Sequence, residues 1–162
     1  MSLVHLHLLL NHLPVIGVPL IAALLMYGIF RRQRDVQRAA LAGFVLVAVL
    51  TLPAYLTGEP AEEAIEHAPG VATALIGRHE TLATVAMVVT GLLGAWAALG
   101  LFFSRRERPV PRLVLSGGVL LAVLAVGALI PTGYYGGQIR HAEIRAAAAP
   151  VQGIEVEELP GR

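Results

Sequence analysis

The stretch "GGQIRHAEIR", residues 136–145, sets Arg140, His141, Glu143 and Arg145 directly behind a long apolar run. Imidazoles beside carboxylates are the usual ligands of non-haem iron, manganese and zinc, and imidazoles alone serve copper or the axial positions of haem. The same residue types gather elsewhere. "TGEPAEEAIEHAPG" (57–70) reads as the end of an apolar segment followed by a short helix, with Pro60 near its first turn and Pro69-Gly70 as a stop. On that helix Glu59, Glu63 and His67 recur along one side, a face that holds a divalent ion or, taken alone, simply caps the segment with solvated charge. "RHE" (78–80) adds Arg78, His79 and Glu80. "LLLNHLPVIG" carries the pair Asn11-His12 about a turn inside an apolar segment, where polar groups are costly and either hydrogen-bond two helices together or mark a cofactor or relay.

The elements that must position these residues follow from composition. The chain has 162 residues, of which 56% are hydrophobic and 14% charged. Mean hydropathy is +0.71, which points to the bilayer as solvent. There is no cysteine, so disulfides, thiolate metal sites, iron–sulfur clusters and covalently attached haem are excluded. A net charge of +1 gives no basis for nucleic-acid binding. Four stretches, near 8–30, 39–57, 81–103 and 113–135, are long enough for a hydrocarbon core about 30 Å thick, which takes roughly 20 helical residues. The first has no basic region ahead of it and no small-residue cleavage site, so it is expected to be retained as a span. The expected fold is therefore all-α: an integral-membrane four-helix bundle over residues 1–145, with an outer loop at 58–80 and a mobile tail at 146–162.

Charge orients the bundle. "RRQRDVQR" (31–38) and "SRRERPVPR" (104–112) put eight arginines into the two short loops on one side, which the positive-inside rule makes cytoplasmic. Both termini and the 58–80 connection then face the periplasm of a bacterial inner membrane. His5, His7, His12, His67, His79 and His141 all map to that outer side, and none to the inner. "AALLMYGIFRRQR" (22–34) echoes "AALGLFFSRRER" (97–108), and "PAYLTG" (53–58) echoes "PTGYYGG" (131–137), as in two like hairpins related by an axis along the membrane normal.

Each span thus brings a histidine to or near its outer end, and facing helices of a four-helix bundle are where such side chains build metal sites. The imidazoles of the expected transition-metal centre are His12, His67, His79 and His141. Its carboxylates are Glu59, Glu63, Glu80 and Glu143, with some of the eight supporting the ligands instead of binding directly. A b-type haem is the alternative, with His12, His79 and His141 as axial candidates, Arg78 and Arg140 near the propionates, and Gly133, Gly136 and Gly137 allowing close approach. A third possibility is a structural subunit of a respiratory or other membrane complex, or a homo-oligomer. Tyr55, Tyr134 and Tyr135 lie at the same level, as aromatic-belt residues and as possible neighbours of a lipid quinol or a periplasmic electron carrier.

"HLLLNHLPVIG", "LTGEPAE", "HETLA" and "GGQIRH" together resemble the four-span bacterial membrane proteins of the DUF2231 type, over roughly residues 5–145. The resemblance implies an outer-face site at His12, His79 and His141, in proteins that look like companions of cytochromes and so in an electron-transfer setting. It carries no settled activity, and the acid-rich 59–67 segment departs from the pattern. Other chemistries find no support. There is no phosphate-binding loop and no H-E-x-x-H, and Asp35, the only aspartate, lies on the opposite side from every histidine. The expected function is a membrane metalloprotein engaged in redox chemistry, an oxidoreductase if it is an enzyme.

Overall fold

The computed structural model describes residues 2–104 and 109–148, and every regular element among them is a helix. The order is α1 (Leu3–Leu10), α2 (His12–Phe30), α3 (Arg34–Leu56), α4 (Gly58–Glu63), α5 (Thr73–Phe103), α6 (Arg112–Arg140) and α7 (Ala142–Ala148). Two of the breaks have one cause. Proline lacks an N–H and its ring crowds the carbonyl four residues back. Pro14 therefore frees the carbonyl of Leu10, where α1 ends, and Pro60 frees that of Leu56, where α3 ends. The backbone still carries on in helical sense past both, through Asn11 N–H to His7 O at 2.9 Å and Ala61 N–H to Thr57 O at 3.2 Å.

Joined across these breaks, four helical runs are long and apolar enough to cross a membrane: Leu3–Phe30, Arg34–Glu63, Thr73–Phe103 and Arg112–Arg140. Each extends beyond the stretch expected from hydropathy, because the helix continues through charged residues that hydropathy excludes; α5 contains Arg78, His79 and Glu80. Only 22% to 33% of each most apolar window is buried inside the bundle. Leu20, Leu46, Leu120 and Phe102, all more than half exposed, face outward. A bundle apolar on its outside as well as its inside is compatible with a lipid surrounding.

Helix α2 packs on α3, α3 on α5, α5 on α6 and α6 on α2, which closes a ring of four antiparallel neighbours. Val18, Leu25, Leu41, Phe44 and Leu93 are fully buried between them. Backbones approach closely where a side chain is missing: a Cβ on Gly94 would stand 2.3 Å from that of Ala48, so α3 and α5 touch through their smallest residues. At the arginine end, Arg32 takes a left-handed φ of 53° to reverse the chain between α2 and α3. Arg38 donates to the Ser104 carbonyl at 2.8 Å and ties the two hairpins together there.

At the other end, the 64–72 connection is fastened to the end of α6. Ala72 N–H donates to the Ile139 carbonyl at 2.9 Å. Arg145 donates to the carbonyls of Gln138, Ile139 and Gly70, capping α6 and holding the connection with one side chain. The segment expected to be tail thus begins inside α7, and residues 149–162 lie outside the described residues.

Candidate metal centre

Two histidines near the ends of the two hairpins stand in the same relation to their surroundings. His7, on α1, donates its Nδ1–H to the Ala54 carbonyl of α3 at 3.0 Å. His79, on α5, donates its Nδ1–H to the Thr132 carbonyl of α6 at 3.0 Å. In each case the acceptor directly follows an intrahelical proline, Pro53 or Pro131, and a glycine four positions further on faces the ring. Gly58 lies against His7, where a Cβ would be 3.5 Å from Cε1; Gly136 lies against His79, where it would be 2.8 Å. The two hairpins therefore repeat one device.

A carbonyl can only accept, so each Nδ1 carries the proton and each Nε2 keeps a free lone pair. Fixing the tautomer through a backbone carbonyl is how proteins prepare an imidazole to ligate a metal. His12 is set in the same way, with Nδ1–H to the Leu8 carbonyl at 2.6 Å. Its ring is held by α1, the preceding stretch of the same helical run, and is exposed, whereas His7 and His79 are partly buried between helices.

Beside His79 sits Glu62, the last acid but one of α4. Its carboxylate is nearly buried, with Oε1 3.9 Å from His79 Nε2 and no N–H or hydroxyl donor on Oε2, and the Glu80 carboxyl stands close enough to share a proton with it. A buried carboxylate oxygen left without a donor is costly unless a cation or proton meets it. His7, Glu62 and His79 together border a small space of about 90 Å³. That is ample for an ion with a water, since one water needs roughly 10–15 Å³.

The residues singled out by spacing divide between two places. His12, His79, His141, Glu59 and Glu80, with Arg140, line a half-open cleft of about 1200 Å³ between the helices, as do Gly133, Gly136 and Gly137. His67, Glu63, Glu143 and Arg78 do not. Helix α4 stops at Glu63 and the chain turns, so the expected face Glu59–Glu63–His67 does not form; Glu59 and Glu62, three apart, line the cleft instead. His67 is exposed beside Glu66 at 3.1 Å. His141 pairs with Glu143 at 2.7 Å on the surface. The Glu143 carboxyl is held below its ordinary range, first by its own backbone N–H and then by His141. Arg78 stacks on the Tyr135 ring, 4.2 Å from its centroid, which occupies the guanidinium expected near a propionate.

His7 and Glu62 are the site residues that spacing did not single out. The signal for His7 lay in the repeated proline and glycine of "PAYLTG" and "PTGYYGG", which align Gly58 with the glycine beside His79. Among the described residues, no three histidine or carboxylate side chains yet converge within coordination distance of one point. His79 and Glu62 are nonetheless within one ion's span, since two bonds of about 2.0–2.2 Å reach across as much as about 4.2 Å. No family model matches this chain, and no curated protein or solved structure matches it either.

Proposed function

We propose that the chain is an integral-membrane metalloprotein whose histidine end holds a redox-active, non-haem transition metal between the two hairpins. His7 and His79 supply the imidazoles and Glu62 the carboxylate, with Glu80 and Glu59 beside them. The observation that carries this is a pair of carboxyls, the buried Glu62 and the exposed Glu80, with no cationic donor on Glu62 Oε2, next to an imidazole whose Nε2 is free. Two histidines and one carboxylate leave other positions of an ion open, a donor set suited to non-haem iron that meets a substrate or oxidant. When bound, the metal would supply one-electron chemistry. The protein's part is to fix the imidazole tautomers, keep the carboxylate dry and leave the cleft side open.

The four apolar spans make the bilayer the solvent, and the arginines of the two short loops favour an inner-membrane protein with its site on the periplasmic side. The resemblance to DUF2231-type proteins points the same way, toward an electron-transfer setting with a quinol or a periplasmic carrier. A second reading, haem b between His7 and His79 with Arg140 at a propionate, is favoured by the volume of the cleft, since pockets for cofactor-sized ligands run about 300–1,000 Å³.

Elemental analysis and a visible spectrum of protein purified in mild detergent separate the two. Near-stoichiometric iron, manganese or copper without a Soret band, lost in His79→Ala, His7→Ala and Glu62→Gln but kept in His67→Ala, is the expected result, whereas zinc at the same residues refutes the redox role. A dithionite-sensitive Soret band assigns the histidines to haem, and metal-free, colourless protein refutes both. Acidification should release the ion, because a proton on Nε2 blocks coordination, and bound metal measured against pH reads it.

A further inference from the structure

The large cleft is far roomier than an ion requires, and its lining changes character along its depth. At the histidine end it presents His12, Glu59, Glu80 and Arg140; toward the arginine end it is walled by Pro14, Val15, Met87 and Leu129. Met87 lies two helical turns beyond His79 on α5, roughly 12 Å along the axis. The cleft is half open and lies among helices whose outer surfaces are apolar. A molecule entering from lipid would meet an apolar channel ending in hydrogen-bonding groups.

Charge decides among occupants of that shape. Phospholipid headgroups carry an anionic phosphate and need cations to meet it. The cleft offers three carboxylates, Glu59, Glu62 and Glu80, against the single guanidinium of Arg140. Carboxylates and an imidazole with a free Nε2 are acceptors, suited to a neutral ligand that brings O–H donors. Tyr55, whose hydroxyl lies 3.0 Å from Thr84 Oγ1, and Tyr134 add aromatic surface at the same level. We propose that the cleft binds a lipid-phase quinol, its ring hydroxyls among His12, Glu59 and Glu80 and its tail along the apolar wall of Pro14, Val15, Met87 and Leu129. The assignment as substrate rests on the metal centre proposed above, whereas binding itself does not need the metal.

Gly133 allows a clean test. It lines the cleft, and a Cβ there would meet nothing nearer than Val15 Cγ1 at 3.9 Å, so a side chain can start at this position without a backbone clash and Gly133→Leu takes up cleft space. Protein in phosphatidylcholine nanodiscs is titrated anaerobically with decylubiquinol by calorimetry, and metal is assayed on the same samples. Saturable binding that weakens by about tenfold or more in Gly133→Leu, a modest clash on the affinity scale, and persists in the lipid-facing Leu120→Phe, is expected. Should Gly133→Leu lose its helical circular dichroism, Val15→Phe narrows the cleft from the opposite wall. Equal uptake by wild type and filled variants means that the quinol only partitions into the bilayer, and absence of saturable heat means that the cleft does not take it; either overturns the proposal. Bound metal without quinol binding refutes the quinol site alone, and quinol binding without metal refutes the metal centre alone.

Discussion

One methyl group decides whether His79 can stand where it does. A Cβ on Gly136 would lie 2.8 Å from its Cε1, closer than real Cβ contacts come, and 3.0 Å from its Nδ1, so the ring that bonds the Thr132 carbonyl must shift. Gly136→Ala is therefore expected to lower metal affinity by about 10- to 100-fold, as loss of a ligand's supporting hydrogen bond does. Competition against a chelator reads this directly, and unchanged affinity removes His79 from the ligand set. Gly58→Ala, with 3.5 Å of clearance at His7, should cost far less. At this scale the chemistry was only half legible from residue types. His79 and Glu80 stand out as a charged pair opening a span, but Glu62 matters because of what it lacks, an N–H or hydroxyl donor on Oε2, and that is visible only once the helices are packed.

Helix contacts depend on what is small. Gly94→Ala would set two methyl carbons 2.3 Å apart between α3 and α5, so the helices must separate along that seam. Overpacking of this kind costs about 1–3 kcal/mol, which should appear as a lowered denaturation midpoint in detergent. An unshifted midpoint would mean that the seam is loose. The connection at the histidine end is held differently, by Arg145 on three carbonyls. Arg145→Ala should leave the spans intact while speeding hydrogen exchange over residues 64–72, read by mass spectrometry; protected amides there would show that Ala72 N–H alone is sufficient. The spans were plain from hydropathy, whereas their ends were not. Charged residues inside a helix end look like loop when read one by one, and the break after Glu63 depends on how the chain returns across the bundle.

The charge asymmetry of the whole molecule makes a statement about orientation that can be checked cleanly, because the chain has no cysteine. Gln33→Cys at the arginine end and Ala68→Cys at the histidine end each introduce a single thiol. With an impermeant maleimide on intact bacterial cells, the second should label and the first only after permeabilisation; the reverse pattern would place the candidate site in the cytoplasm.

The matched settings of His7 and His79 also bear on origins. One hairpin holding one imidazole has half a donor set and an unburied inner face. Two copies meeting about an axis normal to the membrane would have brought both imidazoles to the same end and closed the ring before any third ligand existed. On that view the acid of α4 has no counterpart in the other hairpin, and it is what breaks the likeness of the two imidazole settings.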